Sequence, residues 1–261
     1  MKKLCAVLLL SQGVLWCQSA DDNLKLKTEI GYMKTTGNTD TEAFSLDFNG
    51  KKTYEKHSFE LLLDGSYAED EGYEIRNKFT LEGNYNYKMK KNLFLTYLVG
   101  YKEDKFSSYD YQFYTGPGIK YQFIKSDKQN LSLEGSFLYA QDEYSQIQRD
   151  INGDPIDYPN KNNTPVVSTT PSSTDEYGSY RIKGLYDLRI VENLKFEQSL
   201  TYRGDMSDNS NFFINSKSAF VNKITDTISA SVSYKVDYAN EPTDGNEKED
   251  TALSFNLIFN Y

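Results

Sequence analysis

The chain lacks most of the side-chain chemistry that soluble enzymes use. It has two cysteines, Cys5 and Cys17, and one tryptophan, Trp16, all within the first twenty of 261 residues. Beyond them there is no thiol for a disulfide, a metal thiolate or a nucleophile. There is one histidine, His57, so no second imidazole is available for a metal site. Proline is scarce, with 6 in the chain. Long hydrophobic runs are missing, and the mean hydropathy of −0.68 excludes a helical membrane protein. It leaves a membrane β-barrel open, because half of each barrel strand and all its loops are polar. Basic residues are outnumbered, 29 against 38, for a net charge of −9, which argues against a nucleic-acid partner.

The one apolar run is at the start. Met1-Lys2-Lys3 is a short basic head, Leu4 to Leu10 is apolar, and Cys17-Gln18-Ser19-Ala20 ends in small residues before Asp21-Asp22. This pattern predicts a secretory signal peptide over 1–20, cut after Ala20, with a mature chain of 21–261. The run is too short and interrupted for a membrane anchor. Lipid on Cys17 is a further reading, opposed by the bulk of Trp16 where a small residue is needed. With Lys2 and Lys3 removed, the mature chain is more acidic still.

Aromatics are abundant: 22 Tyr and 15 Phe. They recur with a period of two. Phe255, Leu257, Phe259 and Tyr261 share one parity, and Ser254, Asn256 and Asn260 the other. A strand greasy on one face and polar on the other therefore ends on the C-terminal aromatic. The same pattern predicts strands at 24–33, 41–54, 57–68, 75–88, 93–104, 110–124, 130–141, 177–190, 194–204, 211–223, 228–238 and 251–261. About twelve strands of this length suit oblique crossing of a bilayer. The fold class is all-β, a transmembrane antiparallel up-and-down barrel in the cell outer membrane. An even strand number puts both ends in the periplasm. The long connection near 143–175, rich in Asp, Asn, Pro, Ser and Thr, is then extracellular. The competing architecture is a soluble β-sandwich or lipocalin-like barrel, with its apolar parity inside. Two places are irregular. Pro117 sits mid-strand, where a bulge is expected. Around 211–223 the parity is ambiguous, with Phe212, Ile214 and Phe220 against Phe213, Ala219 and Val221.

Thr36-Gly37-Asn38-Thr39-Asp40 follows the first strand. Further on come Tyr101-Lys102-Glu103-Asp104-Lys105-Phe106, then Asp110-Tyr111-Gln112 leading to Gly116-Pro117-Gly118. On these residues the chain resembles the salt-induced outer-membrane proteins called YdiY-like, domain of unknown function 481. The resemblance covers the mature chain and implies a location, with a link to salt or osmotic response, more than a mechanism. The long 143–175 segment is atypical for it.

Inward parity places Lys120, Arg181, Lys183, Arg189, Lys195, Arg203 and Lys217 on the sixth and the eighth to tenth strands. Asp47, Glu60, Asp64 and Glu82 lie on the second to fourth. Opposed basic and acidic walls suggest a pore for small polar solutes or ions; the alternative is an ion-pair network that plugs the lumen. A structural or adhesive surface barrel, with the long loop as its reactive part, is the second reading. A lipid-modifying enzyme is the third, and His57 would have to be its base. His57 lies beside the turn Glu55-Lys56 on the periplasmic side, away from outer-leaflet lipids, so no catalytic residue and no cofactor is assigned. Acidic loops at Glu69-Asp70-Glu71 with Glu74, and at 244–250, suit divalent cations that bridge lipopolysaccharide phosphates, or plain solvation. Asp150, Asn152 and Asp154 around Gly153 hint at a calcium loop, with the rest of that pattern missing. The expected partners are outer-membrane lipids, lipopolysaccharide and the barrel assembly machinery, for which Phe259 and Tyr261 form the recognition end.

Overall fold

The computed structural model describes residues 23–34, 41–107, 109–156, 160, 162–242 and 247–261. The signal segment, the Thr36–Asp40 motif and Asp244 lie outside the described residues. Alternation dictates strands, and the described chain forms fourteen. They are β1 (Leu24–Lys34), β2 (Thr41–Tyr54), β3 (His57–Asp70), β4 (Tyr73–Lys88), β5 (Leu93–Asp104), β6 (Tyr109–Lys125) and β7 (Gln129–Tyr144). Then come the short β8 (Ile147–Arg149) and β9 (Ser168–Thr170), followed by β10 (Ser173–Val191), β11 (Leu194–Asp205), β12 (Phe212–Lys223), β13 (Ile228–Ala239) and β14 (Glu249–Asn260). Twelve of them close an antiparallel barrel, with β14 returning to β1, while β8 and β9 pair only with each other.

A single strand cannot satisfy its backbone in lipid, and a closed ladder can. The greasy parity faces outward. Leu95, Val99, Ile119, Phe137 and Leu257 are all exposed, Phe137 by 71%. Burying that parity inside, as a soluble barrel would, is excluded. Aromatics gather at two levels on this outer face. Toward one end Tyr180, Tyr202, Phe212 and Tyr238 touch in sequence across β10 to β13, with centroids 5.7, 5.5 and 5.9 Å apart. Toward the other end Phe59 meets Tyr85 at 5.2 Å, Tyr121 meets Phe123 at 4.8 Å and Phe196 meets Phe220 at 5.2 Å. Such paired girdles mark the two interfaces of a bilayer, where rings bury and hydroxyls stay wet. The chain is an outer-membrane β-barrel. At the end that holds Asn23 and Tyr261 every turn has two to four residues, and the 145–172 connection lies at the other, the arrangement expected of a periplasmic and an extracellular end.

Turn chemistry explains the tight hairpins. Glu71 and Gly72 both take positive φ, 51° and 81°, between the paired residues Asp70 and Tyr73. This is the mirror-image two-residue turn that matches strand twist. In the two-residue turn between Tyr54 and His57 Glu55 alone takes positive φ, 51°.

Three local expectations change. Strands β7 and β10 pair out to Tyr144 and Ser173, so the long connection narrows to 145–172 and carries the β8–β9 hairpin. The ambiguous strand resolves with Phe213, Ala219 and Val221 buried inside and Phe220 exposed, because their parity is that of the lumen-facing Lys217. No bulge forms at Pro117. It pairs with Tyr97 in unbroken register, and toward β7 the register is the same on both sides, Thr115 with Tyr139 and Gly118 with Ser136. The register shifts of that ladder lie at 109–111 and 122–124 instead. Beside Pro117, β6 presses against β7: a Cβ on Gly116 would overlap the carbonyl oxygen of Phe137. Gly116→Ala is therefore expected to destabilise the barrel by about 1–3 kcal/mol, the range for forced overpacking, as a lower urea midpoint in unfolding from vesicles.

Candidate functional site

The inward parity builds a charged lumen, and the charges meet across it. Arg181 on β10 donates to both carboxylate oxygens of Glu82 on β4, at 3.1 and 3.2 Å, and lies 3.5 Å from Glu134. Lys183 reaches the same Glu82 at 3.6 Å. Lys217 on β12 donates to Asp47 on β2 at 2.6 Å and to Glu29 on β1 at 3.0 Å. Lys235 on β13 pairs with Asp47 at 3.0 Å and with Asp64 on β3, and Lys78 on β4 pairs with Asp237 on β13. Lower down, Lys27 on β1 reaches Glu197 on β11 at 3.0 Å. Apart from Arg181 and Glu134, which are on the adjacent strands β10 and β7, these partners are several strands apart around the ring, so the pairs span the lumen rather than lie along its wall.

The outer half toward β5–β12 is packed. Leu98, Tyr114, Leu138, Ala140 and Tyr177 form a buried cluster inside the barrel. The ring of Tyr114 lies over Gly100, where any Cβ would overlap it, and its hydroxyl donates to Glu82 at 2.7 Å. Arg203 is held between Tyr114 and Phe213, 5.3 and 4.5 Å from their centroids, and donates to the Tyr177 hydroxyl at 3.1 Å. Asp142 is fully buried; it accepts from Tyr177 at 2.6 Å and Gln112 at 3.1 Å, and Arg203 stands 3.5 Å away.

Open space surrounds this constriction. A periplasmic vestibule of about 630 Å³ runs from Lys25, Asn260 and Tyr261 up to Asp64, Lys183 and Lys217. Those last three also line a middle chamber of about 240 Å³. Its charged lining is Lys78, Lys102, Arg181, Lys183, Arg203, Lys217 and Lys235 against Asp64, Glu82 and Asp237. Seven basic side chains line it against three acidic ones, and Glu29, Asp47, Glu134 and Asp142 pair with Lys217, Lys235, Arg181 and Arg203 from outside that lining. A small outer pocket of about 60 Å³ shares Lys102, Gln112, Phe213, Asn215 and Asp237 with it and adds Asp104 and Asp250.

A family model, described as a protein of unknown function, DUF481, matches residues 28–261. The chain belongs to the DUF481 family. No curated protein matches it. Among solved structures, an outer-membrane channel from Pseudomonas putida F1 is 12% identical over 92% of this chain and 96% of that one, with a TM-score of 0.50. The translocator domain of the autotransporter NalP from Neisseria meningitidis is 9% identical over 100% and 95%, at 0.47. The NanC porin is 12% identical over 91% and 97%, at 0.44. Of these, only the first is similar enough to bear on the argument, and it supports the fold alone.

In this DUF481 barrel the two anticipated walls are not separate. Arg181, Lys183 and Lys217 do face Glu82 and Asp47, but in contact with them. Glu60 pairs with Lys51 at 3.6 Å and Lys195 with Glu197 at 2.5 Å, both near the periplasmic end. Lys120 lines the vestibule, and Arg189 is exposed outside every cavity described above. Lys27 and Lys78 stand on the acidic side, while Glu134, Asp142, Glu197 and Asp237 stand on the basic side. All six lie on inward parity, so alternation alone could have found them. Asp142 was missed because its strand was ended at Gln141. His57 faces lipid, not the lumen; its Nδ1 lies 2.7 Å from the Tyr85 hydroxyl and its ring packs on Tyr87 at 5.2 Å. The acidic turn is similarly occupied: Asp70 accepts from Thr41 at 3.2 Å and Glu74 from Lys105 at 2.5 Å. Asp150 accepts from the amides of Asn152 and Asp154 at 2.8 and 3.0 Å, bracing its own loop.

Proposed function

We propose that this barrel is a narrow channel for small polar solutes, selective for anions at its middle chamber. The observation that carries the reading is the chamber's lining, seven basic side chains against three acidic, joined to the vestibule through shared residues. Fixed charge in a narrow, low-dielectric passage selects its counter-ion. The placement of His57 among lipid-facing aromatics supports a role without catalysis. Phe259 and Tyr261, on the strand that closes the ring, remain the proposed recognition end for the assembly machinery.

The test is the reversal potential in planar bilayers under a salt gradient. Wild type is expected to conduct with anion preference. Lys183→Gln with Lys217→Gln should move the reversal potential toward cations while leaving folding intact. Glu82 keeps Arg181 and Asp47 keeps Lys235, while Glu29 loses its cation and keeps Asn256 and Ser231 as donors. Silence across a wide voltage range would instead favour a closed structural barrel, the second reading, which the ion pairs across the lumen support.

A further inference from the structure

Seven cations line the middle chamber, and six of them are ion-paired. The seventh is Lys102 on β5. Its side chain faces the chamber, half-buried, and makes no ion pair or hydrogen bond among the described residues. A partly desolvated charge without a counter-charge is costly unless something compensates it. Lys102 stands at the outer end of the chamber, where it also lines the small outer pocket.

The surroundings do not supply the missing partner. Lys78 and Arg203 act on Lys102 with charge of the same sign, Asp237 and Asp104 with charge of the opposite sign. Both carboxylates are engaged elsewhere. Asp237 accepts from Lys78 and Asn215, and Asp104 accepts from the amide of Phe106 at 3.3 Å. Glu82, one step further in on β4, is held by Arg181, Lys183 and Tyr114.

A second donor beside Lys102 is uncommitted. Thr80 lies directly opposite it in the β4–β5 ladder and lines the same chamber. Among the described residues the Thr80 hydroxyl makes no hydrogen bond. Opposite residues of an antiparallel pair hold their Cβ atoms about 5 Å apart. A ligand with two acceptor oxygens therefore reaches the ammonium and the hydroxyl together.

We propose that Lys102 and Thr80 form a binding station for a small monocarboxylate inside the chamber. One carboxylate oxygen accepts from Nζ of Lys102 and the other from Oγ1 of Thr80. One uncompensated positive charge suits one negative charge, because the second charge of a dianion would face Asp237 and Asp104. The station deepens the channel reading and rests on it only for the ligand's route. A conducting pore needs such a site, favourable enough to enter and weak enough to leave.

The test follows the lysine Cε resonances of the refolded mature chain, isotope-labelled at lysine, as potassium acetate is added in micelles. Lys102→Arg removes one resonance and so assigns it. Acetate should shift that resonance saturably, and chloride and sulfate at matched ionic strength should bind about tenfold more weakly. Lys120, also without a partner but in the wider vestibule, should shift little. Thr80→Val should weaken acetate by about fivefold, the worth of one hydrogen bond. In planar bilayers, wild-type current should saturate with acetate concentration. Lys102→Gln, which strands no ion-pair partner, should abolish saturation and move the reversal potential toward cations. No saturable shift at Lys102, equal binding of chloride, sulfate as tight as acetate, or undiminished affinity in Thr80→Val each overturns the proposal. An anion preference that survives Lys102→Gln also overturns it and leaves the channel reading standing. An intact titration without any conductance removes the channel reading and leaves the station standing.

Discussion

Asp142→Leu is expected to lower the barrel's stability by roughly 3–5 kcal/mol, the cost of leaving a buried charge without its partner. The partner is Arg203, which is 6% exposed and enclosed by Tyr114, Phe213 and Tyr177. With the carboxylate gone, the guanidinium keeps one phenol and two ring faces, none of which carries the opposing charge. Gln112 and Tyr177 also lose their acceptor. Urea unfolding from vesicles, followed by heat-modifiable mobility, measures the effect. The companion variant Asp142→Leu with Arg203→Met removes both charges together and should recover most of the loss, because an apolar replacement of a buried pair is often neutral. If the single variant unfolds at the wild-type midpoint, the outer half of the lumen is wet rather than packed. The large cost arises from burial, so it should be little affected by salt, unlike that of an exposed pair.

Lys235→Ala with Asp64→Ala should raise single-channel conductance severalfold at nearly unchanged stability. The two side chains are bonded to each other across four strands of the ring, so removing both clears one tie from the constriction. Asp47 keeps Lys217 at 2.6 Å, and no carboxylate is left alone. Both groups are partly solvated, so the net value of their pair for folding is small. An unchanged conductance would place the tightest point elsewhere, at Arg181 and Glu82. A further arm, Lys235→Ala alone, should widen the passage less and weaken anion preference more, because it removes a cation while Asp64 stays.

Much of this architecture was legible from residue order. Period-two alternation is a local property of each segment, so strands such as β2, β5 and β11 could be placed with their ends nearly as observed. The direction of each face followed too, because lipid accepts only one parity. Pro117 misled because a bulge is the usual remedy for a missing donor. Here glycines on either side let β6 sit against β7 without one, a feature of packing that no local pattern announces. The 211–223 segment misled for a related reason: once part of the lumen is packed, Phe213, Ala219 and Val221 are as welcome inside as Phe212 and Phe220 are outside.

The lumen residues show the same division. Alternation put Lys217, Arg181, Asp47 and Glu82 inside the barrel, and strand order put them on different walls. Whether opposed walls stand apart or touch depends on the width of the closed ring and on the reach of each side chain. Those are properties of the whole barrel, fixed only when β14 meets β1. Fold, membrane placement and inward polarity were therefore settled by the order of residues, since each depends on neighbours two apart. The ion pairs across the lumen and the buried Arg203–Asp142 contact were settled by tertiary structure, because each joins residues that are distant in the chain and meet only when the strands assemble.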